Sequence, residues 1–138
     1  MRVLLDANVL FSAAYREGAS IRVLFELAAS GACVLVTSPH AIEEARRNLA
    51  SKRPERVAEL ERLLGAIEVC AEPGTARLDW AASVGLPAKD APILAAAVES
   101  GCPVLVTGDR TDFGALFGQR PGGTLVMLPA EALELLVA

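Results

Sequence analysis

Five aspartates and twelve glutamates divide unevenly along the 138 residues of this chain. The glutamates fall mostly on amphipathic, helix-like stretches. Four aspartates instead sit where apolar runs end or helices begin. Asp6 follows Arg2–Leu5, Asp90 precedes Ile93 and Leu94, and Asp109 and Asp112 follow Pro103–Thr107. Glu44 lies less than two turns into a segment opened by Ser38 and Pro39. Several carboxylates held within a few ångströms repel one another and cannot all stay ionised without a cation. A site built only of oxygen ligands suits Mg²⁺ or Mn²⁺. Such an ion bridges phosphate oxygens, lowers the pKa of a bound water and steadies a leaving oxygen, so hydrolysis needs no protein nucleophile. Taken singly, each acid has a plainer role. Asp6 with Asn8 could form an Asx-turn, Asp90 an N-cap, Asp109 and Asp112 turn residues, and Glu44 a solvated helix charge.

The elements that carry these residues decide whether they meet. Strand-like and helix-like segments alternate from end to end. Arg2–Leu5, Cys33–Thr37, Ile67–Cys70, Pro103–Thr107 and Thr124–Leu128 read as strands. Apolar strands separated by helices indicate a parallel sheet covered on both faces. Ser20 is placed to cap a helix over Ile21, Leu24, Phe25 and Ala28 that Gly31 stops. Ser38 and Pro39 supply an N-cap and a first-turn proline for a helix burying Ile42, Ala45 and Leu49. Pro54 starts another, with Val57, Leu60 and Leu64 at apolar spacing, and residues 76–84 are helical. Asp90 caps a helix over Ile93, Leu94, Ala97 and Val98 that ends at Gly101. A short helical piece spans Phe113–Phe117 and a last helix Pro129–Val137. The expectation is one domain over residues 1–138, a three-layer α/β/α fold with a central five-stranded parallel sheet. Loops that follow parallel strands leave from one edge, where ligands bind. Asp6 and Asp109 then converge, and Asp90 and Glu44 join them if their helices begin at that edge.

Composition narrows the classes. Hydrophobic residues make up 53% and charged residues 22%, the balance of a globular domain. No apolar run approaches the ~18 residues of a membrane span, and no secretion signal is recognisable, so a cytoplasmic protein is expected. Cys33, Cys70 and Cys102 lie in or beside apolar runs and read as buried free thiols. A net charge of −4 argues against sequence-independent duplex binding over the whole surface. Arg46, Arg47, Lys52, Arg53, Arg56 and Arg62 nevertheless crowd together. They could guide an RNA backbone or form a solvated face paired with Glu43, Glu55, Glu59 and Glu61. Ser12 and Arg110 stand close to the acids and are candidates to touch phosphate. His40 is the only histidine, which rules out a two-histidine ribonuclease mechanism within one chain; it reads as an exposed helix-start residue. Few aromatics give little sign of a stacking platform. Neither a phosphate-cradling P-loop nor a dinucleotide fingerprint is present. An aspartyl-nucleophile phosphatase needs an acid at the position of Asn8, and an amide cannot serve. A phosphoacceptor signalling domain wants an acidic pair before the end of the first strand, where Met1 leaves no room.

Four segments together resemble the PIN-domain family of metal-dependent ribonucleases. They are V-L-L-D-A-N-V-L at 3–10, S-P-H-A-I-E-E-A-R-R-N-L at 38–49, K-D-A-P-I-L-A-A-A at 89–97 and L-V-T-G-D-R-T-D-F at 105–113. The resemblance covers nearly the whole chain, and its spacing selects Glu44 over Glu43. It implies that Asp6, Glu44, Asp90 and Asp109 bind Mg²⁺ or Mn²⁺ and carry catalysis. Asp112 would be an added ligand or a supporting acid, and Asn8 and Thr107 would orient ligands by hydrogen bonds. It further implies an RNA substrate, homodimers or higher oligomers, and a toxin role with a cognate antitoxin protein. Pro92 departs from the family pattern, but two positions after a helix start it has no helical hydrogen bond to lose. A PIN-like module that binds a partner without catalysis is the rival, and the presence of every acid argues against it.

Overall fold

The Val- and Leu-rich runs form the sheet. A computed structural model describes residues 1–137. In it β1 (Arg2–Leu5), β2 (Val34–Thr37), β3 (Glu68–Val69), β4 (Val104–Val106) and β5 (Leu125–Met127) pair in the order β3-β2-β1-β4-β5. Every pairing is parallel, and Leu4 sits opposite Val36 on one side and Leu105 on the other. Leu4, Leu5, Leu35, Val36, Leu105 and Val106 are all buried. Burial from both faces explains why these strands show no polar alternation, and each such side chain contributes about 1.5–3 kcal/mol.

Seven helices are seen among the described residues: α1 (Ala7–Tyr15), α2 (Arg22–Ala29), α3 (Pro39–Lys52), α4 (Val57–Leu64), α5 (Thr75–Ser83), α6 (Ala91–Glu99) and α7 (Pro129–Val137). The five-stranded parallel sheet and its helical layers agree with the sequence pattern. Helices α1, α3 and α4 pack on one another, and α5 packs on α6. Ser38 caps α3 as expected, its hydroxyl accepting from the Ala41 N–H at 3.1 Å. No helix is long and apolar enough to cross a membrane among the described residues. All three cysteines are buried and free.

Three local expectations need correction. Ser20 does not cap α2 with its side chain; Ile21 occupies the cap position without a side-chain bond. Residues 19–24 already wind in overlapping turns, with Arg22 N–H on the Ala19 carbonyl and Val23 N–H on the Ser20 carbonyl, so no extended cap residue precedes the helix. Pro54 opens a 3₁₀ turn (Pro54–Arg56), and α4 begins only at Val57. Leu63, not Leu64, joins Leu60 in the core of α4.

The basic cluster is mostly tied into the fold. Arg22 Nε donates to the Ala13 carbonyl at 2.6 Å, Arg56 Nε to Ala14 at 2.7 Å and an Arg53 guanidinium nitrogen to Tyr15 at 2.7 Å. Three guanidinium groups therefore satisfy the last carbonyls of α1, which have no helical partner, and place positive charge at its negative end. Glu59 anchors two of them, pairing with Arg22 at 2.9 Å and Arg56 at 3.9 Å, and also pairs with Arg62. Arg46 pairs with Glu43 and Glu61, and Arg53 with Glu55. The paired-face reading therefore describes Arg46, Arg53, Arg56 and Arg62.

Candidate active site

The strand order reverses direction at β1, with β2 to one side and β4 to the other. A crevice opens outside the carboxyl ends of strands at such a point. Asp6 leaves the end of β1 there, and Thr107, Gly108 and Asp109 leave the end of β4. The two strand ends are joined, since the Asp6 N–H donates to the Val106 carbonyl at 3.0 Å.

Asp6 is 2% exposed, and both of its carboxylate oxygens accept hydrogen bonds. Its Oδ1 accepts from the Ala7 N–H at 2.6 Å. Its Oδ2 accepts from Thr107 Oγ1 at 2.8 Å and from Asn8 Nδ2 at 3.1 Å. Thr107 Oγ1 also accepts from Asn8 Nδ2 and from the Asp109 N–H, each at 3.1 Å. Asn8 Oδ1 takes the Gly108 N–H at 2.8 Å. Gly108 suits that contact, because a Cβ there would lie 3.3 Å from Asn8 Oδ1. Asn8 and Thr107 thus fix the side chain of Asp6 and the backbone of the Asp109 loop in one network. Burial pushes the Asp6 carboxyl above its ordinary range, the bonds from Thr107 and Ala7 oppose this, and the charges of Glu44 and Asp109 add to it.

Asp109, Asp112 and Asp90 form the tightest group, each offering an oxygen within 4.8 Å of the other two. Asp109 Oδ1 accepts from the Asp112 N–H at 2.9 Å, a local side-chain-to-backbone bond that closes the turn between the two acids. The expected capping bond from Asp90 is absent. Its backbone is already helical (φ −101°, ψ −22°), because the preceding turn closes on the Pro87 carbonyl. The side chain is instead free to enter the cleft, where Oδ2 is buried and has no hydrogen-bond partner. Burial, then the adjoining Asp112 carboxylate, pushes Asp90 up to about 7, against the pull of Lys89. Lys89 is the cation the acids gather. Its Nζ lies 2.9 Å from Asp112 Oδ2, 3.7 Å from Asp90 Oδ2 and 3.9 Å from Asp109 Oδ2. The bond to Asp112 raises the Lys89 pKa, and the Lys89 ammonium in turn holds the Asp112 carboxyl below its ordinary range.

Glu44 lines the same cleft from α3, with Asp6, Asn8, Asp90 and Asp109. Glu43 is exposed and pairs with Arg46 instead. The cleft encloses about 820 Å³ and continues along α1 past Phe11, Ser12 and Tyr15 to Lys52 on α3. Phe11 and Tyr15, one helical turn apart, hold their rings 5.2 Å apart, and the Lys52 ammonium lies 5.4 Å from the Phe11 ring. One aromatic pair is therefore present in the cleft despite the sparse aromatic content. Ser12 lines the cleft, whereas Arg110 is exposed and is not part of its lining. His40 Nε2 donates to the Lys89 carbonyl at 3.0 Å, tying the loop before α6 to the start of α3.

A model of the PIN domain matches residues 2–111. The chain belongs to the PIN-domain family. A search of curated proteins returns no match. Several solved structures share the PIN fold. VapBC2 from Rickettsia felis, bound to a DNA fragment from its promoter, is 16% identical with a TM-score of 0.71, covering 93% of this chain and 98% of that chain. PAE2754 from Pyrobaculum aerophilum is 22% identical with a TM-score of 0.67, covering 99% and 96%. VapC20 from Mycobacterium tuberculosis, a sarcin–ricin-loop-cleaving toxin, is 17% identical with a TM-score of 0.59, covering 82% and 94%. In this PIN domain the four segments singled out in the sequence supply the acidic wall of one cleft. Lys89 stands inside one of those segments, whereas Phe11, Tyr15 and Lys52 lie outside all four. The i, i+4 spacing of Phe11 and Tyr15 was the available signal for the aromatic pair.

Proposed function

We propose that this PIN domain is an Mg²⁺- or Mn²⁺-dependent endoribonuclease in which Asp6, Glu44, Asp90 and Asp109 hold the ion. Asp112 is an added ligand or a supporting acid. The observation that carries this is the buried Oδ2 of Asp90, which lies beside Asp109 and Asp112 with no hydrogen bond and only the Lys89 ammonium at 3.7 Å to balance it. A buried carboxylate oxygen without a hydrogen bond is costly, and an ammonium at 3.7 Å offsets less of that cost than a directly ligated cation. The donors are all oxygens, which fits a hard divalent ion. Such an ion, when bound, supplies Lewis acidity toward a phosphodiester and a water acidified for attack on phosphorus.

The chain's own residues do the remaining work. Asn8 and Thr107 hold the Asp6 carboxylate and the Asp109 loop in one orientation, so little reorganisation accompanies binding. Lys52 and the Phe11–Tyr15 pair, at the far end of the cleft, offer a cation and an aromatic surface to a neighbouring nucleotide of a single strand. The acidic end repels bare phosphate, which confines binding of the scissile group to the metal-loaded state. The toxin-like neighbours favour the further reading of a cytoplasmic toxin, working as a single domain in a homodimer or higher oligomer and controlled by an antitoxin protein.

The test is cleavage of an end-labelled single-stranded RNA with Mn²⁺, with and without excess chelator. Cleavage that stops in chelator, returns on adding Mn²⁺ and is lost in Asp109→Asn supports the assignment. Cleavage that persists in chelator refutes it.

A further inference from the structure

We infer that Lys89 is a resident counter-cation of the acid group, which a divalent ion must displace to bind. This rests on the metal-dependent reading above and names what sets the ion affinity of that site. Three distances carry it: the Lys89 ammonium stands 2.9, 3.7 and 3.9 Å from one oxygen each of Asp112, Asp90 and Asp109. Those three carboxylates each bring an oxygen within 4.8 Å of the other two, so the ammonium stands in the part of the site where the acids crowd most. Two cations cannot occupy that volume together, because like charges a few ångströms apart repel strongly in a partly enclosed site.

The contacts differ in kind. Asp112 receives a charge-assisted hydrogen bond from Lys89. Asp90 Oδ2 does not; it is 4% exposed as a residue, has no hydrogen-bond partner and feels the ammonium only through space. That lone pair stays open to a ligand that can approach more closely. Lys89 itself is 59% exposed along its side chain, so its stem can carry the ammonium out into water without disturbing the core. Its backbone stays in place, because His40 holds the Lys89 carbonyl and the Asp90 N–H holds the Pro87 carbonyl. The lysine therefore balances the acids while the site is empty of metal, keeps them gathered, and swings aside when the ion enters. The ion meets a preassembled site but binds more weakly than it would without the competitor.

The test is calorimetric titration of Mn²⁺ into wild type, Lys89→Gln and Lys89→Arg, with thermal melting of each in chelator and in saturating Mn²⁺. Lys89→Gln binds Mn²⁺ about tenfold more tightly than wild type, the loss of one partly screened repulsion, and Lys89→Arg binds within about threefold of wild type. In chelator Lys89→Gln melts below wild type, and saturating Mn²⁺ closes that gap. Equal affinity in wild type and Lys89→Gln overturns the inference and leaves the metal site standing. Weaker binding by Lys89→Gln also overturns it, by making the lysine a group that positions the ligands. Absence of Mn²⁺ binding in all three proteins overturns both this inference and the metal-dependent reading.

Discussion

Asp90→Asn should stabilise the metal-free protein while abolishing its ion site. The side chain of Asp90 is 5% exposed, one of its oxygens has no hydrogen bond, and its carboxyl is pushed from an ordinary 3.8 to about 7. A folded-state pKa above the unfolded one means that the native protein binds the proton more tightly. Stability from that proton is complete below about pH 4, is lost as pH rises toward about 7, and is gone above it. The displacement corresponds to about 4 kcal/mol at roughly 1.36 kcal/mol per pH unit. Water reaching the open cleft reduces this to about 2–3 kcal/mol. Asparagine is nearly isosteric and does not titrate. Urea unfolding in chelator should therefore show the variant close to wild type near pH 4 and about 2–3 kcal/mol more stable near pH 8. Mn²⁺ binding should vanish, and RNA cleavage should fall by at least about 10²-fold. A variant less stable than wild type at high pH, or a stability difference that does not change with pH, would refute the reasoning.

Other perturbations test different parts of the molecule. Glu59, held down to about 2 first by Arg62 and then by Arg22, contributes stability present above about pH 4.5 and lost as pH falls toward about 2. Glu59→Gln should cost about 1–2 kcal/mol at neutral pH and flatten the acid limb of a stability–pH curve. Gly122 has φ +62°, and a Cβ there would lie 2.8 Å from Trp80 Cη2, so Gly122→Ala should lose about 1–3 kcal/mol in denaturant unfolding. Lys52→Gln should raise the KM for RNA severalfold with kcat little changed. Its slope of log KM against log salt should become shallower by about 0.7, the value for one lost single-strand phosphate contact.

The sheet was legible because its strands are buried on both faces, which leaves unbroken runs such as Val3–Leu5 and Val104–Val106. The acidic wall was legible because Asp6 and Asp109 follow those runs, and a parallel sheet sends both to one edge. What escaped depended on tertiary contacts. The turn on Pro87 puts Asp90 in helical backbone and so cancels the expected cap, and nothing local announces it. Arg22 lies outside the basic cluster in sequence yet joins Arg53 and Arg56 at the end of α1. The reach of Lys89 to Asp112 crosses more than twenty positions, and sequence shows only that it precedes Asp90. Phe11 and Tyr15 were readable as an i, i+4 pair, but the cleft they border was not.

The hydroxyl of Thr107 meets a carboxylate 101 positions earlier in the chain. No fragment that ends before Thr107 can complete that bond, however well β1, β2 and their helices fold. The hydrogen-bond network that holds Asp6 therefore closes only when the fourth strand lies beside the first.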